Sequence, residues 1–302
     1  VVAHTEIDPS KKTVLLYAHH DVQPVGDLSM WDTEPFNPVL KEGRLYGRGS
    51  GDNKAGVVVH YNVVKKLLEN LPVNIRIFIE GEEEIGSPTM SDFIEQNREA
   101  LEADVIVIAD SANVKIGVPT ITTTLRGLVD GFIEVNQPMR PVHSGMGGGI
   151  VPDAFMVLSK IIASFHDDKG NLQIEGLTPT DMNVTELDES YTKKMLGSEE
   201  INLFDAESIS KRLWLEPALD VLAIDAPPVK DAVNLVIPKA SAKISLRLPP
   251  TEDPEHAMKM LEEHVMKNIP WNASVKFIPN SKGFGVVADP NKPFTKELVN
   301  SF

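Results

Sequence analysis

Three short runs rich in Val, Ile and Leu, each bounded by polar residues, mark the first part of the chain: Thr13 to Ala18, Asn74 to Ile79 and Asp104 to Ala109. Apolar runs of this length predict buried strands. Between the first two, Lys54 to Asn70 carries Val58, Tyr61, Val64, Leu67 and Leu68 at helical spacing, which predicts a helix with one apolar face. Between the second and third, Ser87-Pro88 has the form of a helix start, with serine as N-cap and proline in the first turn, leading into Met90 to Leu101. Strand, helix, strand, helix, strand predicts an α/β fold with a mostly parallel sheet and helices on both faces.

From about Thr122 the pattern changes. Gly127 to Gln137 is strand-like, Asp153 to Phe165 is an amphipathic helix, and Ala240 to Leu248 alternates. Pro254 to Met266 reads as helix, and Ala273 to Ile278 alternates again. An acidic stretch from Glu175 to Asp205 is expected to be a solvated surface segment. The division expected is residues 1–121 as the first part of the α/β domain, 122–282 as a smaller inserted α+β domain, and 283–302 as a return to the first.

At 302 residues with 42% hydrophobic content, the chain is long enough for two cores. A formal charge of −15 repels phosphate backbones and anionic lipid, so nucleic acid and membranes are not expected partners. No apolar stretch has the length of a bilayer span. With no cysteine, any metal must be held by imidazole and carboxylate, which favours zinc, with manganese or cobalt also compatible. A cytoplasmic location is the default expectation. The chain opens on Val1-Val2-Ala3 without methionine, so residues upstream are expected.

Candidate chemistry gathers where the predicted strands end, the place where open α/β sheets hold ligands. His19 and Asp21 stand two residues apart at the end of the first run, so alternation puts them on one face and Asp21 can orient a metal-binding His19. A surface turn with incidental histidines fits the same residues. Asp52 precedes the predicted helix in the glycine-rich Gly47-Arg48-Gly49-Ser50-Gly51-Asp52-Asn53-Lys54, where it could bridge cations or cap the helix. Glu82-Glu83-Glu84 repel one another unless cations neutralise them, one stays protonated, or the loop is solvated. Asp110 alone is unremarkable.

Taken in order, Tyr17-Ala18-His19-His20-Asp21-Val22-Gln23-Pro24, Leu45 to Lys54, Glu80-Gly81-Glu82-Glu83-Glu84-Ile85-Gly86-Ser87, Ala109-Asp110 and Leu125-Arg126-Gly127 resemble the carnosinase and aminoacylase-like dinuclear metallopeptidases. The Asp-Val-Gln-Pro run, followed by Trp31 and Pro35-Phe36, is most similar to the carnosinase-like (cytosolic non-specific) dipeptidase branch. The resemblance implies a catalytic metal-binding domain with an inserted lid or dimerisation domain. It implies that His19 and Asp110 hold one divalent ion and Glu84 the other, that Asp52 bridges them, and that the peptide bond after Asp52 is cis. Glu83 would be the general base and Asp21 would orient His19.

In the smaller domain, His143 alone reads as a loop histidine beside a glycine run, and a half-exposed strand explains the alternation around Arg247. The resemblance implies more. His143 would reach the partner subunit's active site in a homodimer and stabilise the oxyanion, Arg247 would bind the substrate carboxylate, and Asn234 would supply a polar substrate contact. His60, His256 and His264 have no role in it. Members also carry a late histidine that completes the second metal site, and no histidine follows His264, so the chain is expected to be a fragment of a longer enzyme. The function implied is hydrolysis of dipeptides or small peptides. The alternatives are an N-acyl amino acid deacylase of desuccinylase or deacetylase type, and a catalytically silent metal-binding or dimerisation module.

Overall fold

Thr13–His19 and Asn74–Glu80 pair in parallel, with Thr13 opposite Asn74 and His19 opposite Glu80. Val105–Ile108 joins in parallel on the other side of Thr13–His19, and Val2–His4 runs antiparallel along Asn74–Glu80. The four-stranded sheet is therefore mostly parallel, as the apolar runs predict. The computed structural model describes residues 1–111, 113–289 and 291–301. They form two compact units, 1–120 and 121–302.

The connecting helix of the first unit spans Lys54–Leu67 and tightens into a 3₁₀ turn at Leu68–Asn70. Its buried face differs from the expected one. Gly56 and His60 are buried, whereas Val58 and Tyr61 are 55% and 59% exposed, and Leu67 and Leu68 also face outward. The cause is a close backbone approach: a Cβ on Gly56 would lie 2.2 Å from the Ala109 carbonyl oxygen, so only glycine lets the helix sit against that strand end. One turn on, His60 Nε2 bonds the Tyr17 carbonyl at 2.8 Å, fixing the helix to the central strand.

The next helix also starts later than Ser87-Pro88 suggests. Ser87 has φ +51° and donates its N–H to the Glu82 carbonyl at 2.8 Å, and the helix runs Met90–Gln96 after Thr89. Ser87 therefore belongs to the turn that follows the acidic triplet rather than to a helix cap. A second short helix, Arg98–Leu101, follows.

The second unit is an antiparallel sheet in the spatial order Ala218–Asp225, Lys239–Leu248, Gly127–Asn136, Val275–Gly283. Alternation selects its inner face: Val129, Ile133, Val135, Ile244, Leu246 and Leu248 are buried. Against them pack Val157, Leu158 and Ile161 of the helix Ala154–Ala163 and Ala257, Leu261 and Val265 of the helix Pro254–Lys267. Asp153 and Asp253 cap these helices, accepting from Phe155 and Met156 and from Glu255 and His256. The edge strand Ala218–Asp225 has no counterpart in the sequence reading. Its residues from Asp220 onward are exposed, so no buried alternation marks it.

The acidic stretch is largely exposed, but Thr180, Leu187 and Thr192 anchor it, and the Leu187 N–H donates to Ser210 Oγ at 2.7 Å. Two histidines have structural roles that charge patterning hides. His264 is buried, stacks on Phe165 at 5.0 Å and pairs through Nε2 with Ser164 Oγ at 3.0 Å, while His256 Nδ1 meets Glu252 Oε1 at 2.7 Å.

Candidate metal centre

Two parallel-sheet connections and the segment leaving the third parallel strand deliver carboxylates to the C-terminal end of Thr13–His19, where His19 is fully buried. Its Nε2 lies 2.9 Å from Asp52 Oδ1, 3.4 Å from Asp110 Oδ1 and 3.8 Å from Glu83 Oε2. Each neighbour arrives for a local reason. Asp110 lies two residues beyond Val105–Ile108, and Asp52 sits at the mouth of the helix Lys54–Leu67. Glu83 begins a 3₁₀ turn, Glu83–Ile85, which Gly86 closes at φ +84°. That turn breaks the alternation that would otherwise send Glu83 and Glu84 to opposite faces.

Asp52 is not the helix cap. Asn53 takes that role, its buried side chain accepting from the Gly56 N–H at 3.1 Å, and the Asp52 carboxylate turns to His19 instead. The Asp52–Asn53 peptide is cis, as the resemblance implies. On the far side of the imidazole, His19 Nδ1 is 3.3 Å from the Asp21 carbonyl oxygen and 3.4 Å from its Oδ1. With Nδ1 directed at Asp21, the Nε2 lone pair is the one available to a metal.

The ligand atoms of His19, Asp52 and Asp110 all lie within 4.8 Å of one another. One imidazole and two carboxylates are a donor set suited to zinc, manganese or cobalt. The electrostatics agree with such a fit. Burial lowers the affinity of His19 for a proton, but Asp110, Glu83 and Asp52 outweigh it, so its pKa is raised. Glu83 is pushed up by burial and by Asp110, Glu84 and Asp52, against the opposing pull of His19. Asp110 is raised first by burial and then by Asp52 and Glu84, again against His19. Crowded carboxylates with raised pKa values are what a divalent cation would relieve. Asp21 goes the other way: burial acts to raise it, but N–H donors led by Glu84 hold it below the ordinary carboxylate range.

The remaining predicted residues fall into two groups. Glu84 stands on the same turn as Glu83, but its carboxylate accepts from the Gln23 N–H at 3.3 Å and the Gln23 amide at 3.0 Å, outside the triad of converging ligand atoms. Glu82 serves the fold, accepting from Thr89 Oγ1 at 2.6 Å. In the second unit, His143 and Leu235 are register partners, and the Ser144 N–H donates to the Asn234 carbonyl at 2.9 Å, so His143 and Asn234 are neighbours. His143 is exposed, and its Nδ1 accepts from the Gly145 N–H at 3.0 Å. Arg247 lies on the exposed side of Lys239–Leu248, paired with Ala218 and Leu128.

Two supports escaped the sequence reading. Gly56 and His60, four apart in a Val-rich helix, were the available signal for the face that meets the strand end. Behind the site, the buried Glu80 accepts from the Tyr17 hydroxyl at 2.5 Å, and that contact required knowing the strand register.

Known proteins share both sequence and fold with this chain. A cysteinylglycine-S-conjugate dipeptidase from Corynebacterium striatum is 35% identical over 289 residues, covering 93% of this chain and 63% of its own. The human Beta-Ala-His dipeptidase is 32% identical over 281 residues, covering 88% of this chain and 55% of its own. The solved structure of the dipeptidase Dug1p from Saccharomyces cerevisiae superimposes with a TM-score of 0.82 at 26% identity, covering 100% of this chain and 68% of that one. The chain thus spans 55–63% of the length of these two curated relatives. Residues 15–302 match peptidase family M20/M25/M40, and the chain belongs to that family.

Proposed function

We propose that this chain carries the metal-binding and proton-transfer residues of a dipeptidase acting on small peptides with a free carboxyl end. The observation that carries the reading is the convergence of His19, Asp52 and Asp110, with Glu83 beside them. The dipeptidase names of the two curated relatives support the substrate class. Bound divalent cations, zinc first among them, supply Lewis-acid activation of water and of the amide carbonyl. His19, Asp52 and Asp110 would hold one cation, and Glu84 with the shared Asp52 would hold the other.

Glu83 does the proton work. Its carboxylate reaches the site without belonging to the converging triad, and its raised pKa makes it a better base than a solvated glutamate. It takes a proton from the attacking water and returns it to the leaving amine. Asp21 keeps the His19 ring oriented. Arg247 pairs with the substrate carboxylate, a task suited to a guanidinium fork, Asn234 adds a polar contact, and His143 stabilises the oxyanion from a partner subunit. The exposure of His143, Asn234 and Arg247 leaves each free for such contacts. The proposal includes a homodimer formed through the smaller domain and a cytoplasmic location, checked by sedimentation and by localisation of the tagged full-length protein. Among the described residues, no helix is long and apolar enough to cross a membrane.

The test is Glu83→Gln in the full-length protein, assayed on Cys-Gly, β-Ala-His and N-acetyl amino acids. Turnover of the dipeptides is expected to fall by about 10²–10⁴-fold while zinc binding persists. Unchanged turnover would remove Glu83 as the base, and turnover of the acylated amino acids alone would replace the dipeptidase with a deacylase.

A further inference from the structure

The segment Asp21-Val22-Gln23 engages every polar atom of Glu84. The Glu84 N–H donates to Asp21 Oδ2 at 2.9 Å, and its carbonyl accepts from the Gln23 amide at 2.8 Å. Its two carboxylate oxygens accept separately, Oε2 from the Gln23 amide at 3.0 Å and Oε1 from the Gln23 N–H at 3.3 Å. The segment is itself strapped down beyond Gln23. Arg48 Nη2 donates to the Pro24 carbonyl at 3.2 Å, and Trp31 Nε1 donates to the Val25 carbonyl at 2.8 Å. The Arg48 guanidinium lies 5.0 Å from the centre of the Trp31 ring, joining the two straps.

We propose that Gln23 is a positioning residue for Glu84, which sets the affinity of the cation that Glu84 holds and leaves the cation of His19 and Asp110 unaffected. The inference rests on the reading of Glu84 as a ligand. A glutamate side chain on a turn such as Glu83–Ile85 rotates about three bonds, and ordering it on binding costs conformational entropy. The Gln23 amide removes that freedom in advance. It leaves Glu84 its metal-binding capacity, because an ionised carboxylate has about four acceptor directions and Gln23 takes one on each oxygen. Its donors are neutral, so they orient the carboxylate without cancelling its charge. The selectivity follows from the contacts: among the described residues the Gln23 amide is bonded to Glu84 alone, whereas Asp21 touches both Glu84 and His19.

The test titrates cobalt(II) into the full chain, followed by calorimetry and by visible absorption, for wild type, Gln23→Met, Glu84→Gln and the double variant. Gln23→Met keeps the side-chain length and removes the amide. The expected result is that Glu84→Gln weakens one class of site and Gln23→Met weakens that same class by about 10–100-fold. The His19-dependent class and the melting temperature stay at wild-type values, and the double variant matches Glu84→Gln. If Glu84→Gln weakens binding and Gln23→Met does not, the positioning role is overturned and the ligand reading stands. If Glu84→Gln changes nothing, the ligand reading fails and the inference falls with it. Equal weakening of both classes with a lowered melting temperature would mean general loosening and would also overturn it. Should Gln23→Met not fold, Gln23→Asn, an amide one methylene too short to reach, is read by the same outcomes.

Discussion

In the second unit, four strands and two helices close over a core in which Ile133, Ile161, Ile244, Leu246 and Leu261 have no exposure, so that apolar contact dominates its interior. The sheet of the first unit buries Leu15, Leu16, Ala18, Ile75 and Phe78, but Ile106 and Ile108 on its outer strand are 58% and 62% exposed. Beside those apolar residues the first unit buries His19, Asn53, His60, Asn74 and Glu80, each with hydrogen-bond partners inside the unit, whereas in the second unit buried apolar residues far outnumber buried polar ones such as Asp130, Ser210 and His264. The difference shows two ways of holding a chain in place. Apolar packing tolerates small displacements, whereas a network of buried hydrogen bonds fixes individual atoms, which is what convergent ligands need. The candidate metal centre lies in the unit built the second way.

The sharpest way to break this comparison is to remove apolar volume. Leu261→Ala in the second unit is expected to cost about 2–5 kcal/mol, measured as the shift in urea unfolding, while the cation affinity of the His19 site stays unchanged. Gly56→Ala in the first unit adds one methyl group and is expected to cost about 1–3 kcal/mol, because the new Cβ meets the Ala109 carbonyl. It should also weaken zinc binding in calorimetry, since Ala109 precedes Asp110. A zinc affinity equal to wild type would show that the helix face does not set the ligand geometry.

Acid separates the units by sign. Burial depresses the folded-state pKa of His264 below its unfolded value. Its contribution is therefore present above the unfolded pKa and is lost as pH falls through the folded one. His19 without metal has a raised folded pKa, because Asp110, Glu83 and Asp52 outweigh burial. Its contribution is complete below the unfolded pKa and is lost as pH rises through the folded one. Chelated protein melted from pH 5 to pH 8 should show the acid loss removed by His264→Phe and the alkaline loss removed by His19→Phe. The same slope in both variants would refute the assignment. The smallest effect is expected at Val58→Ala, within about 0.5 kcal/mol of wild type by urea unfolding, because that side chain is exposed in this chain.

Much of this was legible along the chain. Apolar runs and alternation marked all three parallel strands and three of the four strands of the second sheet. The order of motifs singled out His19, Asp52 and Asp110, which the structure brings together. What failed was orientation. Counting apolar residues on the helix Lys54–Leu67 selects Val58 and Tyr61, but the close approach of Gly56 to Ala109 selects the opposite face. The edge strand Ala218–Asp225 was invisible because exposed apolar residues have no alternation to read.

The sequence by itself therefore determined which residues end each apolar strand, since hydrophobic periodicity is a local property, and with it which carboxylates and which histidine could meet. Only the tertiary structure decided that Asn53 caps the helix while Asp52 turns to His19, that Glu84 is held by Gln23, and that His60 ties the helix to Tyr17. Those are contacts between residues 3 to 61 positions apart. They depend on register and close backbone approach, which are fixed only when the strands and the helix are assembled together.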